Sequence, residues 1–151
     1  PVRVQVSPSG KGSWEQFVRE NYPREVKTFR SKFPAQSDIR LVILTDADKH
    51  TIRERFQQLE NTLQENGLPI RQPQEGIGVF IPKRNIETWI HFLKGQPVNE
   101  EKTYPRLSKE SECKAEVEAL ARNRRNPLPE EAPPSLRAAC LELPRVITEI
   151  A

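Results

Sequence analysis

The sequence predicts an α/β protein: a small parallel sheet with helices on both faces, followed by a helical C-terminal appendage. Three observations carry that prediction. Strand-like and helix-like segments alternate three times over residues 2–93. The central strand, Ile39 to Leu44, is a short β-branched and aliphatic run of the kind that a parallel strand buried on both faces requires. Beyond Gly95 the alternation stops and only helical spacing remains. Alternating strand and helix imply a parallel sheet with right-handed crossovers. The expected division is an α/β unit at residues 1–95 and a helical extension at 96–151 packed on it.

The first expected strand is Val2–Val6, where apolar and polar residues alternate. After the turn Ser7–Ser13, Ser13 and Gln16 have the spacing of a capping box, and Trp14, Phe17 and Val18 form an apolar helix face. Pro23 is expected to end or restart that helix, with Val26, Phe29 and Phe33 continuing the spacing to Pro34. The strand at Ile39–Leu44 leads through Thr45-Asp46-Ala47-Asp48 into a helix from about Lys49 to Asn66. Its stripe is Ile52, Phe56, Leu59 and Leu63, and Gly67 stands where a C′ glycine belongs. A third strand, Ile77–Ile81, precedes a helix from about Arg84 to Leu93 with Ile86, Trp89, Ile90 and Leu93 inward.

In the appendage, residues 96–108 read as a loop. Glu110–Arg122 reads as a helix with Cys113, Val117 and Leu120 inward. Ser135 is expected to cap a last helix carrying Leu136, Ala139, Cys140 and Leu143, which Pro144 interrupts before Val146, Ile147 and Ile150 resume the spacing.

Composition excludes several classes. The longest undisturbed apolar run, Leu41–Leu44, falls far short of the roughly 18 residues of a membrane span. Two cysteines make no disulfide framework, and the start carries no signal-peptide pattern, so a cytoplasmic address without a membrane partner is expected. The net charge of +3, from 24 basic and 21 acidic residues, permits a polyanionic partner without requiring one. The sequence has no Met and opens directly on a strand pattern, which leads to the expectation of further structure upstream.

Chemistry concentrates at the carboxyl ends of the expected strands, where open α/β sheets bind ligands. Asp46 and Asp48 can face one point there, and a hard divalent ion, Mg²⁺ before others, would relieve their repulsion. The competing reading makes Asp48 the cap of the helix starting near Lys49 and leaves Asp46 solvated. Glu87 falls in the first turn after the next strand, where it approaches the aspartates if the strands are neighbours, or simply complements the helix dipole. Lys83 and Arg84 suit phosphate oxygens, and Gly10-Lys11-Gly12 permits close backbone approach to an anion at a helix start, without Walker spacing. His50 and His91 receive no role. Cys113 and Cys140 read as buried free thiols. Arg122, Arg124 and Arg125 form a basic knot at a helix end.

Val42-Ile43-Leu44-Thr45-Asp46-Ala47-Asp48, followed by Arg84-Asn85-Ile86-Glu87-Thr88-Trp89, resembles a TOPRIM-type domain. It is similar above all to the TOPRIM-like domains of OLD-type nucleases and of related small uncharacterised proteins. The resemblance spans roughly residues 2–93. It implies a compact α/β fold, Mg²⁺ or Mn²⁺ held by an acidic cluster, and nuclease-like action on phosphodiester bonds of nucleic acid. By position Asp46 and Asp48 match the metal-binding pair and Glu87 the later acid, so these three carry the implied catalytic and metal roles. Gly10, Lys11, Gly12, Lys83 and Arg84 would hold flanking phosphates. The family's glutamate after its first strand has no counterpart here, because this chain opens at what would be the second strand. The resemblance therefore implies either an upstream strand or a domain without activity. Two other readings stay open: a non-catalytic interaction module whose acids cap helices, and a haloacid dehalogenase-like phosphotransferase or phosphatase with Asp46 as nucleophile. The latter pattern places Thr or Val where His50 stands. Oligomeric state and the choice of DNA or RNA are not legible.

Overall fold

A computed structural model of the protein describes residues 14–147. The expected strand Val2–Val6, the Gly10-Lys11-Gly12 turn, the Ser13 cap and Ile150 lie outside the described residues. The element order is α1 (Trp14–Lys32), β1 (Leu41–Leu44), α2 (Ile52–Glu65), β2 (Ile77–Phe80), α3 (Glu87–Leu93), a 3₁₀ turn at Glu110–Cys113, α4 (Lys114–Arg122) and α5 (Pro134–Val146). Among the described residues, no helix is long and apolar enough to cross a membrane.

The described sheet is a parallel pair, β1 beside β2, with Leu41 opposite Ile77 and Leu44 opposite Phe80. Alternation of side chains sends Leu41, Ile43, Ile77 and Val79 to one face, where Tyr22, Val26 and Phe29 of α1 and Leu59 and Leu63 of α2 complete a core. Phe80 points the other way, into a second cluster with Trp89 of α3 and Leu136 and Ala139 of α5. Helices thus cover both faces, as the alternation predicts. Coverage of the second face is uneven. α5 lies over β2, while Val42 and Leu44 of β1 are 55% and 53% exposed.

Close seating of α5 requires Gly78. A Cβ there would lie 2.8 Å from Val146 Cγ1 and 2.9 Å from Phe80 Cε2. Gly78→Ala is expected to cost about 1–3 kcal/mol through overpacking. Urea denaturation measures it, and an unchanged midpoint would mean that α5 is not seated against the strand.

Among the described residues, the outer edge of β2 is closed by side chains instead of a third strand. The Glu142 carboxylate of α5, 7% exposed, accepts the Val79 N–H at 2.9 Å. Arg71 donates to the Ile77 carbonyl at 2.9 Å and pairs with the same Glu142 oxygen, and Arg145 reaches the other oxygen at 3.3 Å. This buried network has no local sequence signature.

Several boundaries differ from expectation for identifiable reasons. Helix α1 runs through Pro23 because that residue is buried, as Tyr22 and Val26 are, and the burial outweighs one missing hydrogen bond. Helix α2 starts at Ile52, not near Lys49, because Thr51 and Glu54 form a complete capping box at 3.0 and 3.2 Å. Its C-terminus closes as read: Gly67 has φ +70°, and Gly67 N–H and Leu68 N–H donate to Gln64 and Leu63 in a Schellman motif. Helix α5 opens at Pro134, so Ser135 does not cap it. The buried Ser135 hydroxyl instead accepts from Trp89 Nε1 and donates to Glu100, both at 2.8 Å. Pro144 leaves α5 unbroken to Val146. In the short α4, Val117 is 48% exposed, not inward, and Cys113 and Cys140 are half-buried rather than buried.

Candidate functional site

Pairing between the strands continues past their ends and organises the acidic turn. Thr45 N–H donates to the Phe80 carbonyl at 3.0 Å, Ala47 N–H to Pro82 at 2.8 Å, and Asp48 N–H to Lys83 at 2.7 Å. The turn carrying Asp46 and Asp48 is therefore laced to the segment that leads into α3 and Glu87. Asp48 adopts φ +54° and is the only non-glycine residue with positive φ among the described residues. The reading of Asp48 as a helix cap falls, since Thr51 occupies that position.

The carboxyl of Asp46 is pushed up to about 6. Burial is the largest cause, followed by the negative charges of Asp48 and then Glu87, with Arg55 and Arg106 opposing. The three acids of the predicted site are thus electrostatic neighbours. They do not close into a cage: among the described residues no group of three His, Cys, Asp or Glu side chains is close enough to hold a metal ion on its own.

Nearby cations are engaged with backbone oxygens of the same turn. The buried Arg55 donates to the carbonyls of Asp46 at 3.1 Å and Ala47 at 3.2 Å, and to Gln58. Lys83 Nζ donates to the carbonyls of Asp48 at 3.0 Å and His50 at 2.6 Å. Arg84 makes one long contact, 3.4 Å, to Glu101, and its buried Nε has no hydrogen-bond partner. The Thr45 hydroxyl, beside Asp46 in sequence, is likewise buried and unpartnered. Asn85 holds the 96–108 loop through the Tyr104 carbonyl at 2.8 Å, which brings Arg106 within electrostatic reach of Asp46.

Of the predicted residues, Asp46, Asp48, Lys83 and Arg84 stand on the turn and loop past the carboxyl ends of β1 and β2, Glu87 opens α3, and Gly10, Lys11 and Gly12 lie outside the described residues. His50 faces Glu54 at 3.3 Å, and His91 packs on Tyr104 with ring centroids 4.8 Å apart. Sequence reasoning missed Arg55 and Arg106. Arg55 had a signal, because it lies on the same helical stripe as Ile52 and Leu59, where a charge must find buried partners. Arg106 had none.

No protein-family model, curated protein or solved structure matches the chain. The TOPRIM resemblance therefore rests on the two short motifs alone.

Proposed function

We propose that the rim formed by Asp46, Asp48 and Glu87 binds a hard divalent cation, Mg²⁺ or Mn²⁺, and serves phosphodiester chemistry on nucleic acid in the manner of a TOPRIM-like nuclease domain. One observation carries the reading: a desolvated carboxylate beside two like charges, whose effect the opposing charges of Arg55 and Arg106 offset only in part. Such an arrangement is unfavourable in the bare protein and is relieved by an external cation.

These residues suit Mg²⁺ better than a metal that requires a full protein cage, because Mg²⁺ is commonly held by one or two carboxylates and keeps several waters. Asp46 and Asp48 would hold the ion, and Glu87 would support it or orient one of its waters. The ion supplies Lewis-acid polarisation of a phosphate oxygen. Arg84, whose guanidinium makes a long contact of 3.4 Å to Glu101, is the better placed of the two basic residues to receive a phosphate, since the Lys83 ammonium already has two carbonyl partners.

Titration calorimetry with Mg²⁺ and Mn²⁺, beside cleavage assays on single- and double-stranded DNA and RNA, tests the proposal. Binding that is lost in Asp46→Ala and weakened in Glu87→Ala is expected, with any cleavage dependent on both residues. A protein indifferent to both ions up to millimolar concentration would overturn it.

A second reading, a non-catalytic interaction module, is favoured by one observation. A groove of about 600 Å³ runs along β1 and α1 beside the exposed Val42 and Leu44. Retained fold and partner capture in Asp46→Ala, together with absent ion binding, would select it.

A further inference from the structure

We infer that Lys83 is a positioning residue for the proposed cation site, acting through Asp48 rather than on a phosphate. The inference rests on the reading of that rim as a cation site.

Both backbone groups of Asp48 are held by this one residue. The Asp48 N–H donates to the Lys83 carbonyl at 2.7 Å, and the Lys83 ammonium donates to the Asp48 carbonyl at 3.0 Å. The same ammonium reaches the His50 carbonyl at 2.6 Å, so it spans the chain on both sides of Lys49. Asp48 sits at φ +54°, a conformation that L side chains disfavour and that Asp tolerates better than most. A clamp on both of its peptide groups maintains that conformation. The direction of the Asp48 carboxylate, and hence its approach to Asp46, follows from it. Groups that orient metal ligands in this way commonly change affinity by ten-fold or more when removed.

The sign of the effect separates this role from a simple charge effect. Removing a positive charge next to a cation site ordinarily strengthens cation binding, because a repulsion disappears. A positioning role predicts the reverse. Lys83→Met is expected to weaken Mg²⁺ binding about ten-fold or more. In an Asp48→Asn background the same substitution should cause no further loss, since the group through which Lys83 acts is already gone.

Calorimetric Mg²⁺ titration of the wild type, Lys83→Met, Asp48→Asn and the double variant reads both effects. Hydrogen exchange of the Asp48 amide is followed in parallel without metal, and is expected to accelerate in Lys83→Met. Equal or tighter Mg²⁺ binding in Lys83→Met overturns the inference, as does additivity with Asp48→Asn. If the wild type binds no Mg²⁺, the proposed function fails on its own, and the clamp is judged by the amide: unchanged exchange overturns it. Lys83→Gln, which carries no charge and whose donor nitrogen is one bond nearer the backbone, replaces Lys83→Met under the same criteria if the latter does not fold.

Discussion

Asp46→Asn is expected to raise the stability of the protein at neutral pH while abolishing its response to Mg²⁺. The carboxyl titrates near 6 in the folded chain, against about 3.9 for an unperturbed Asp. Between those values the folded state binds the proton that the unfolded state has released. Stability from this group is therefore greatest below about pH 4, falls as pH rises to about 6, and stays reduced above it. Asn mimics the protonated form at every pH. The variant should match the wild type near pH 4 and exceed it at pH 7 by about 1–2 kcal/mol, a figure reduced for the partial solvent exposure of the group. Thermal melts at both pH values, with and without Mg²⁺, give four numbers. The wild type should gain stability from Mg²⁺ at pH 7 and the variant should not. A variant less stable than the wild type at pH 7 would show that the aspartate is not held in an unfavourable ionised state.

Glu142→Ala is expected to be the most damaging substitution considered. It leaves the Val79 N–H without its acceptor and the guanidinium of Arg71, whose side chain is 10% exposed, without its carboxylate. Breaking a buried pair from one side commonly costs about 3–5 kcal/mol. Glu142→Gln keeps an oxygen for the Val79 N–H and should lose less, about 1–3 kcal/mol. Urea denaturation of both variants checks the order. A loss under about 1 kcal/mol in Glu142→Ala would mean that the edge of β2 does not depend on this carboxylate.

Much of the site was legible because its parts are local. The aliphatic runs at 41–44 and 77–80 mark the strands, and acids just past their ends fall at the rim by simple counting. The Gly67 terminus was legible for the same reason, since a Schellman motif is completed within a few residues. The start of α2 was legible too, but Thr51 and Glu54 carry it, not Asp48. Pro23 misleads because local chemistry argues for a break, whereas the burial that overrides it comes from distant parts of the chain. Val117 fits a helical stripe but is 48% exposed in the folded chain.

By itself the sequence determined the two described strands, most helix faces and the three acids that end up on the rim. Periodicity, capping and turn preferences act over a handful of positions, and any chain with these residues carries them. Only the tertiary structure decided that Asp46 is desolvated beside Asp48 and Glu87, that Arg55 and Lys83 serve carbonyl oxygens, and that Glu142, 63 positions from Val79, closes the sheet. Desolvation, charge neighbourhood and edge pairing depend on which distant segments meet, and that is settled by packing the whole chain.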